Sequence, residues 1–388
     1  MIARALSVFV IASALALLGC GGRSSLDDAI YAHGLPDAAP PGQDAARPGR
    51  DSAPPGQDSA LPGSDSAPPG RDAAPDAVDA GRAGCHEDSG TLPVVLASGL
   101  DAPDEIAVDE ASVYWVENGS GSVKRVSICG GTVTTLATGQ SAPSSIAVDA
   151  TSVYWINDPD TEHGAIVRVA KGGGAAPEVL AAALGWVTYI AVGSAAVYGE
   201  TGIGTVTRIP LEGGAPTVVV PGDVLVSGLA VDTTRVYWIS EWGGALAGVL
   251  LSASLTSSTG GAPTTLASGL NNAQSLVVGA ASLYWIEYDT AYVPNVVSLP
   301  AGGGTPGVVA SNAVAFAIDG ADVFWIRSTS PPSAMDDILE GSIDGGPPTV
   351  LASGQSFPNA IAVNSSGVYW SETGPTAGEA GAIMKLAR

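Results

Sequence analysis

The sequence predicts an all-β protein: a seven-bladed β-propeller closed by its own N-terminal strand and preceded by a disordered Pro/Gly/Asp-rich stalk. Three observations carry this. An apolar tetrapeptide followed by an aromatic doublet recurs seven times beyond Thr91. No helical periodicity lies between the copies. The composition changes sharply near Gly84.

The repeat anchor is Ile106-Ala-Val-Asp109 with Tyr114-Trp115. It returns as Ile146 with Tyr154-Trp155, Ile190 with Tyr198-Gly199, Leu229 with Tyr237-Trp238 and Leu276 with Tyr284-Trp285. Phe316 with Phe324-Trp325 and Ile361 with Tyr369-Trp370 complete the set, at spacings of 39 to 47 residues. Each copy divides into four short strands: the apolar strand (A), the Val-Tyr-Trp strand (B), an alternating strand such as 123–126 (C), and a Thr135-Leu-Ala-like strand (D). Gly-Gly pairs at 130–131, 213–214, 260–261, 303–304 and 345–346 sit between C and D, where a tight hairpin needs positive φ. Asp109, Asp149, Asp232 and Asp319 fall at the A–B turn, where an Asp side chain bonds turn amides.

The last copy ends after its C strand, and a spare D strand, 92–99, precedes the first copy. Pairing the two completes the seventh blade and removes an open sheet edge. Pro93 suits an outer, solvent-edged strand.

Ahead of the repeats, Pro-Gly recurs every seven residues from 41–42 to 69–70, and Asp44, Asp51, Asp58, Asp65 and Asp72 keep the same step. Neither a collagen triplet nor an apolar heptad is present, so this segment has almost nothing to bury and reads as a disordered, extended stalk. Its span is about 45 Å as a coil and about 180 Å if wholly polyproline-like.

The first residues hold Arg4, an apolar run over 5–18, and Leu17-Leu18-Gly19-Cys20. That run is too short for an ordinary spanning helix. Its end resembles the lipobox of bacterial lipoproteins. The resemblance implies cleavage before Cys20, lipidation of Cys20, and, with Gly21 and Gly22 in place of Asp, outer-membrane sorting on the periplasmic or cell-surface side. An ordinary secretory signal with an incidental Cys is the rival reading. Three regions follow: a signal peptide over 1–19, a lipid-anchored linker over 20–90, and the propeller over 91–388. The repeats themselves resemble secreted bacterial propellers of the Ile-Ala-Val-Asp…Val-Tyr-Trp type. More distantly they are similar to Tyr-Trp-Thr-Asp repeats and to those of streptogramin lyase. The likeness implies the fold; propellers host many unrelated activities.

Charge excludes some functions. With 38 Asp and Glu against 15 Lys and Arg, the formal net charge is −23, so a basic patch for nucleic acid or anionic lipid is not expected. Only 14% of residues are charged, and 51 are Gly, which argues against a helical bundle.

Repeat lengths vary mainly in the B–C loops, which are long after Trp238, over 328–340 and over 371–381. In an up-and-down blade the B–C and D–A connections share one face. The face with insertions is the candidate binding face, against neutral drift in loops that tolerate insertion. Two Trp depart from the anchors, Trp186 and Trp242, and Tyr189, Tyr288 and Tyr292 join them in loops of that face on blades 3 to 5. With Glu241 they form a candidate patch for a glycan, peptide or protein partner. Burial of the rings beneath their own loops is the alternative.

Glu117, Asp158, Glu200, Glu241, Glu287 and Glu372 follow the aromatic doublets, with Arg327 as the exception. Such a partial ring reads either as a site for a cation or basic partner or as a solvated face. Asp158, Asp160 and Glu162 offer hard oxygen ligands in one loop, a candidate Ca²⁺ site that lacks the Gly and terminal Glu of a known loop motif. No other cofactor is expected.

No nucleophile elbow, phosphate loop, dinucleotide fingerprint or paired metal-binding His is present. His163, the one His of the repeat region, lies in a peripheral loop. Streptogramin lyase-like chemistry wants a His and a carboxylate at the central mouth, which His163 does not match. Glu105 and Asp104 do enter the first A strand near that mouth. Cys85 precedes the closing strand and Cys129 falls in the first C–D turn; export permits a disulfide between them, with free thiols or an intermolecular link as rivals. The expectation is thus a stalked, lipid-anchored binding or scaffold module. The alternatives are a lyase or sugar-lactone hydrolase at the channel mouth, or a purely structural envelope protein.

Overall fold

The computed structural model describes residues 92–158, 163–202, 204–222, 225–241, 248–255, 262–328, 335–374 and 380–388. These contain strands, turns and no helix. Seven four-stranded antiparallel sheets form, each in the order A-B-C-D, with seven hydrophobic clusters between them. Blade 1 comprises Pro103–Val108, Ser112–Glu117, Ser122–Ser127 and Thr134–Ala137. The seventh blade pairs Val94–Leu100 as its outer strand with Gly381–Ala387, then Gly367–Glu372 and Pro358–Asn364. The chain therefore closes by its N-terminal strand. Pro93 lies just before that strand rather than in it.

The aromatic doublet builds the seams. Successive strand residues face opposite sides, so the Tyr of one blade points forward and the Trp points back. Tyr114 shares a cluster with Trp155, Tyr198 with Trp238, Tyr237 with Trp285, Tyr284 with Trp325, Phe324 with Trp370, and Tyr369 with Trp115. The six Trp are 0 to 3% exposed. Each such ring removes about 200 Å² from water, on the order of 5 kcal/mol of transfer free energy. The seam between blades 2 and 3 has Tyr154 but no Trp. Gly199 stands in its place, and a Cβ there would lie 3.0 Å from Ile166 Cδ1, so Ile166 fills the space.

The turns are fixed by chemistry the repeat encodes. Asp109 Oδ1 accepts from the Ala111 and Ser112 amides, both at 2.8 Å, and Oδ2 accepts from the Tyr114 hydroxyl at 3.0 Å. Asp149 and Asp232 repeat this with Tyr154 and Tyr237. Asn364 substitutes in blade 7, bonding the Ser366 amide and Tyr369. Blade 6 has Phe324, so its Asp319 is met instead by Arg388, which also pairs with Asp322 and covers the Phe324 ring. Positive φ occurs at Gly130, Gly131, Gly213, Gly214, Gly303, Gly304, Gly345 and Gly346, as the C–D hairpins require; the pair at 260–261 lies outside the described residues.

Candidate functional site

Antiparallel order puts the A–B and C–D turns on one face and the B–C and D–A connections on the other, called here the turn face and the loop face. Two residues before the apolar anchor of each A strand the chain is polar in six blades: Asp104, Ser144, Thr188, Ser227, Gln274 and Asn359. Val314 breaks the rule in blade 6. Asp104 Oδ1 accepts from Asn359 Nδ2 at 2.8 Å across the closure seam, and burial pushes its carboxyl above the usual range. Glu105, exposed, accepts from the Ile146 amide at 3.2 Å.

The acids after the aromatic doublets do not form one ring. They divide by strand register into two structural sets. Two residues past the Trp, the side chain lies on the Trp's own side. There Glu117 and Glu287 each accept from the indole Nε1 of their own blade at 3.0 Å, and Glu372 does so at 3.5 Å. Asn157 serves Trp155 in the same way. Lys124, Ser120 and Ser122 also engage Glu117; burial alone would raise its pKa, but Lys124, Trp115 and Ser120 outweigh it and hold it low. Three residues past the Trp, the side chain faces the next blade. Asp158 there accepts from the Val187 amide at 3.4 Å, and Glu241 accepts from that of Ala273. Glu200, one past Gly199, is buried where blades 1, 2, 4, 5 and 6 place Val or Ile. Arg327 cannot accept, and Trp325 Nε1 is buried with no hydrogen-bond partner among the described residues. Arg327 turns instead to Asp337.

The expected aromatic patch is partly redistributed. Trp186 is 42% exposed and Tyr292 is 60% exposed, both on the loop face. Tyr189 and Tyr288, expected in loops, belong to strands Val187–Val192 and Ser282–Tyr288. Both rings pack against seam clusters, because each strand runs further toward the loop face than the repeat spacing implies. Trp242, Asp160 and Glu162 lie outside the described residues. Asp158 is buried against the next blade rather than open in a loop. Among the described residues no group of three or more His, Cys, Asp or Glu is placed to hold a metal. The blade 6 loop is shorter than expected, since its C strand spans Met335–Ser342. Cys129 is disulfide-bonded; Cys85 and Cys20 lie outside the described residues. His163 is exposed and bridges Gly185.

Three exposed apolar residues escaped the sequence reading. Leu225 (63% exposed), Met335 (53%) and Val314 (39%) all open onto the loop face. Aligning the A strands would have exposed Val314 as the apolar residue in a polar column. With Trp186 and Tyr292 they make an arc over blades 3 to 6. The other exposed large apolar residues, such as Val95, Val179, Val218, Val308 and Val350, lie on or beside outer D strands. Leu92, 74% exposed, precedes the closing strand at the end where the C–D turns lie.

Charge is segregated in the same direction. Arg125, Arg168, Lys171, Arg208, Arg235, Lys385 and Arg388 lie in the half of the molecule toward the turn face. Among the described residues only Lys124 and Arg327 stand toward the loop face, and both are ion-paired. Acids including Asp101, Glu105, Glu241, Glu287, Asp289 and Asp336 occupy that face. Glu241 is held above the usual carboxylate range by burial and by the nearby Glu287 charge, against the Ala273 amide.

The fold defines a seven-bladed β-propeller. No family model matches the chain, and no curated protein matches it in sequence. Among solved structures it is similar to one titled "Streptogramin B lyase structure", at TM-score 0.52 and 10% identity over 76% of this chain and 97% of that one. A computationally designed protein, Ika8, gives TM-score 0.51 and 14% identity over 75% and 98%. A structure of a nidogen/laminin complex gives 0.43 and 16% over 57% and 85%. The first two likenesses establish the shared fold alone.

Proposed function

We propose that this chain is an envelope-anchored lipoprotein whose propeller is a binding module, with its contact on the loop face of blades 3 to 6. The carrying observation is the arc of Trp186, Leu225, Tyr292, Val314 and Met335. Exposed apolar side chains cost solubility, and here those away from the outer strands share one face. Aromatic rings held at such a surface give large contact area with little rotamer entropy to lose. The anchor reading rests on Leu17-Leu18-Gly19-Cys20, with the Pro/Gly/Asp-rich segment as a spacer. A bridge from Cys129 to Cys85 would tie the spacer's end to blade 1.

Binding to glycan and peptide arrays, compared for the native chain, Trp186→Ala, Tyr292→Ala and the outer-strand variant Val179→Ser, tests the face. The loop-face variants should lose most of the signal and Val179→Ser should keep it. Ligands retained equally by all three variants would remove this face from the function.

A further inference from the structure

Resting on the reading that the loop face binds, we propose that its partner is a basic polypeptide segment carrying apolar side chains. Two independent features of that face meet in this chemistry. The apolar arc asks for a partner with apolar side chains of its own. The charge segregation asks for cations: acids are spread over the loop face, and its two bases are already paired with Glu117 and Asp337. A cleft or face of one sign raises the local concentration of oppositely charged partners and speeds their encounter.

Local geometry at blades 4 and 5 points the same way. Glu241 Oε1 is buried with no hydrogen-bond partner among the described residues, and the Glu287 charge is close enough to repel it. Glu287 is held by Trp285 Nε1 and the Asn271 amide, so it cannot swing away. A Lys or Arg head between the two carboxylates would relieve the repulsion and supply the missing donor. Its apolar neighbours would reach Leu225 on one side and Tyr292 on the other, both on the same two blades.

Charge also removes the other occupants. The chain's own linker carries the recurrent acids Asp44 to Asp72 and would be repelled. An anionic lipid surface would be repelled as well. A neutral glycan would leave the acids without a counterpart.

The test uses the full chain in neutral detergent and three labelled twelve-residue peptides, alternating Lys-Leu, Glu-Leu and Lys-Gly, read by fluorescence anisotropy. The Lys-Leu peptide should bind at least tenfold more tightly than either other peptide. Its affinity should fall about tenfold between 50 and 300 mM NaCl as the charges are screened. Asp289→Asn with Asp336→Asn, on the loop face, should weaken it about fivefold. The charge-matched pair Glu212→Gln with Asp344→Asn, toward the turn face, should change it less than twofold. Equal losses from the two pairs would mean attraction to the whole acidic molecule and would overturn the proposal. Equal binding of Glu-Leu and Lys-Leu, both lost in Trp186→Ala, would overturn the basic partner and leave the binding face standing. Lys-Leu binding unaltered by Trp186→Ala and Tyr292→Ala would overturn both.

Discussion

Removing the Tyr154 hydroxyl isolates the contact that three A–B turns share. In Tyr154→Phe, Asp149 keeps the Thr151 and Ser152 amides at 2.7 and 2.8 Å but loses the phenol at 2.7 Å. A hydrogen bond to an ionised carboxylate contributes about 1.5–3 kcal/mol. Asp149 keeps its two other principal donors and some solvent, so the lower end applies, about 1.5 kcal/mol. In a domain of this size that lowers the melting midpoint by about 3 °C. The pH dependence has a definite sign. Burial alone would raise Asp149, but Tyr154, Thr151 and Ser152 outweigh it and hold the folded carboxyl below its ordinary 3.8. The stabilisation is therefore full above pH 3.8 and fades as pH falls through the lower folded value. Tyr154 is pushed up to about 12, by burial first and then by Asp149. Its stabilisation is full below its ordinary 10.0 and is lost as pH rises through about 12, a limb that the Phe variant lacks. Urea denaturation at pH 7 and pH 3, in a cycle with Asp149→Ala, reads the carboxylate's share, and the same measurement at pH 11 reads the tyrosine limb. The coupling at pH 7 should be about 1 kcal/mol. A coupling below about 0.3 kcal/mol, or an equal Tyr154→Phe cost at pH 7 and pH 3, would refute the assignment of the turn's stability to this pair.

Gly199→Trp should destabilise by about 3 kcal/mol, since Ile166 already fills the place the ring takes in other seams, and adding Ile166→Val should recover part of the loss in the same denaturation assay. Glu241→Gln keeps an acceptor for the Ala273 amide and removes a charge whose folded pKa lies above its ordinary 4.5. A raised carboxyl contributes stability below 4.5 that is lost as pH rises through its folded value, so the variant should melt about 2 °C higher at pH 7 and gain nothing at pH 4. It should at the same time bind the Lys-Leu peptide less tightly, separating stability from binding at one residue.

The blade count and the turn carboxylates were legible because each recurs along the chain, the anchor seven times and the turn Asp four, and a repeated rule corrects its own noise. The closure was legible because one spare D strand matches one missing D strand. The fates of the acids after the doublet were not, and the reason is register. Glu117 and Glu241 both follow a Trp closely, yet at two and three residues their side chains leave opposite sides of the sheet. One caps its own blade's indole and the other caps the next blade's first strand. Period-two alternation was the signal that separates them, and it was available in the sequence. Tyr189 and Tyr288 were misplaced for a related reason, since spacing marks where a strand sits but not how far it extends. Leu225 and Met335 open their strands, where a single sequence gives no account of exposure.

Departures from the repeat concentrate where the exposed apolar arc lies. Blade 3 lacks the seam Trp, and blades 3 and 5 place Gly193 and Gly279 where other turns use Asp. At Gly279 a Cβ would come within 2.8 Å of the Tyr284 ring, so the turn carboxylate was exchanged for close packing. Blade 6 exchanges the hydroxyl of Tyr for Phe324, the indole acceptor for Arg327, and the polar channel residue for Val314. Each exchange gives up a local interaction, and one leaves a buried donor unbonded. Chains whose levels of organisation otherwise agree break their own rules chiefly at functional or strained sites. Blade 1 obeys the rules throughout, and blade 7 breaks them only by placing Asn364 for Asp and Ser371 in an apolar column. Neither contributes to the arc. Val314 aside, which meets both criteria, the irregular blades 3, 5 and 6 and the exposed apolar residues select the same side of the molecule, the first from packing within seams and the second from exposure to solvent. Blade 4 joins them through Leu225 alone.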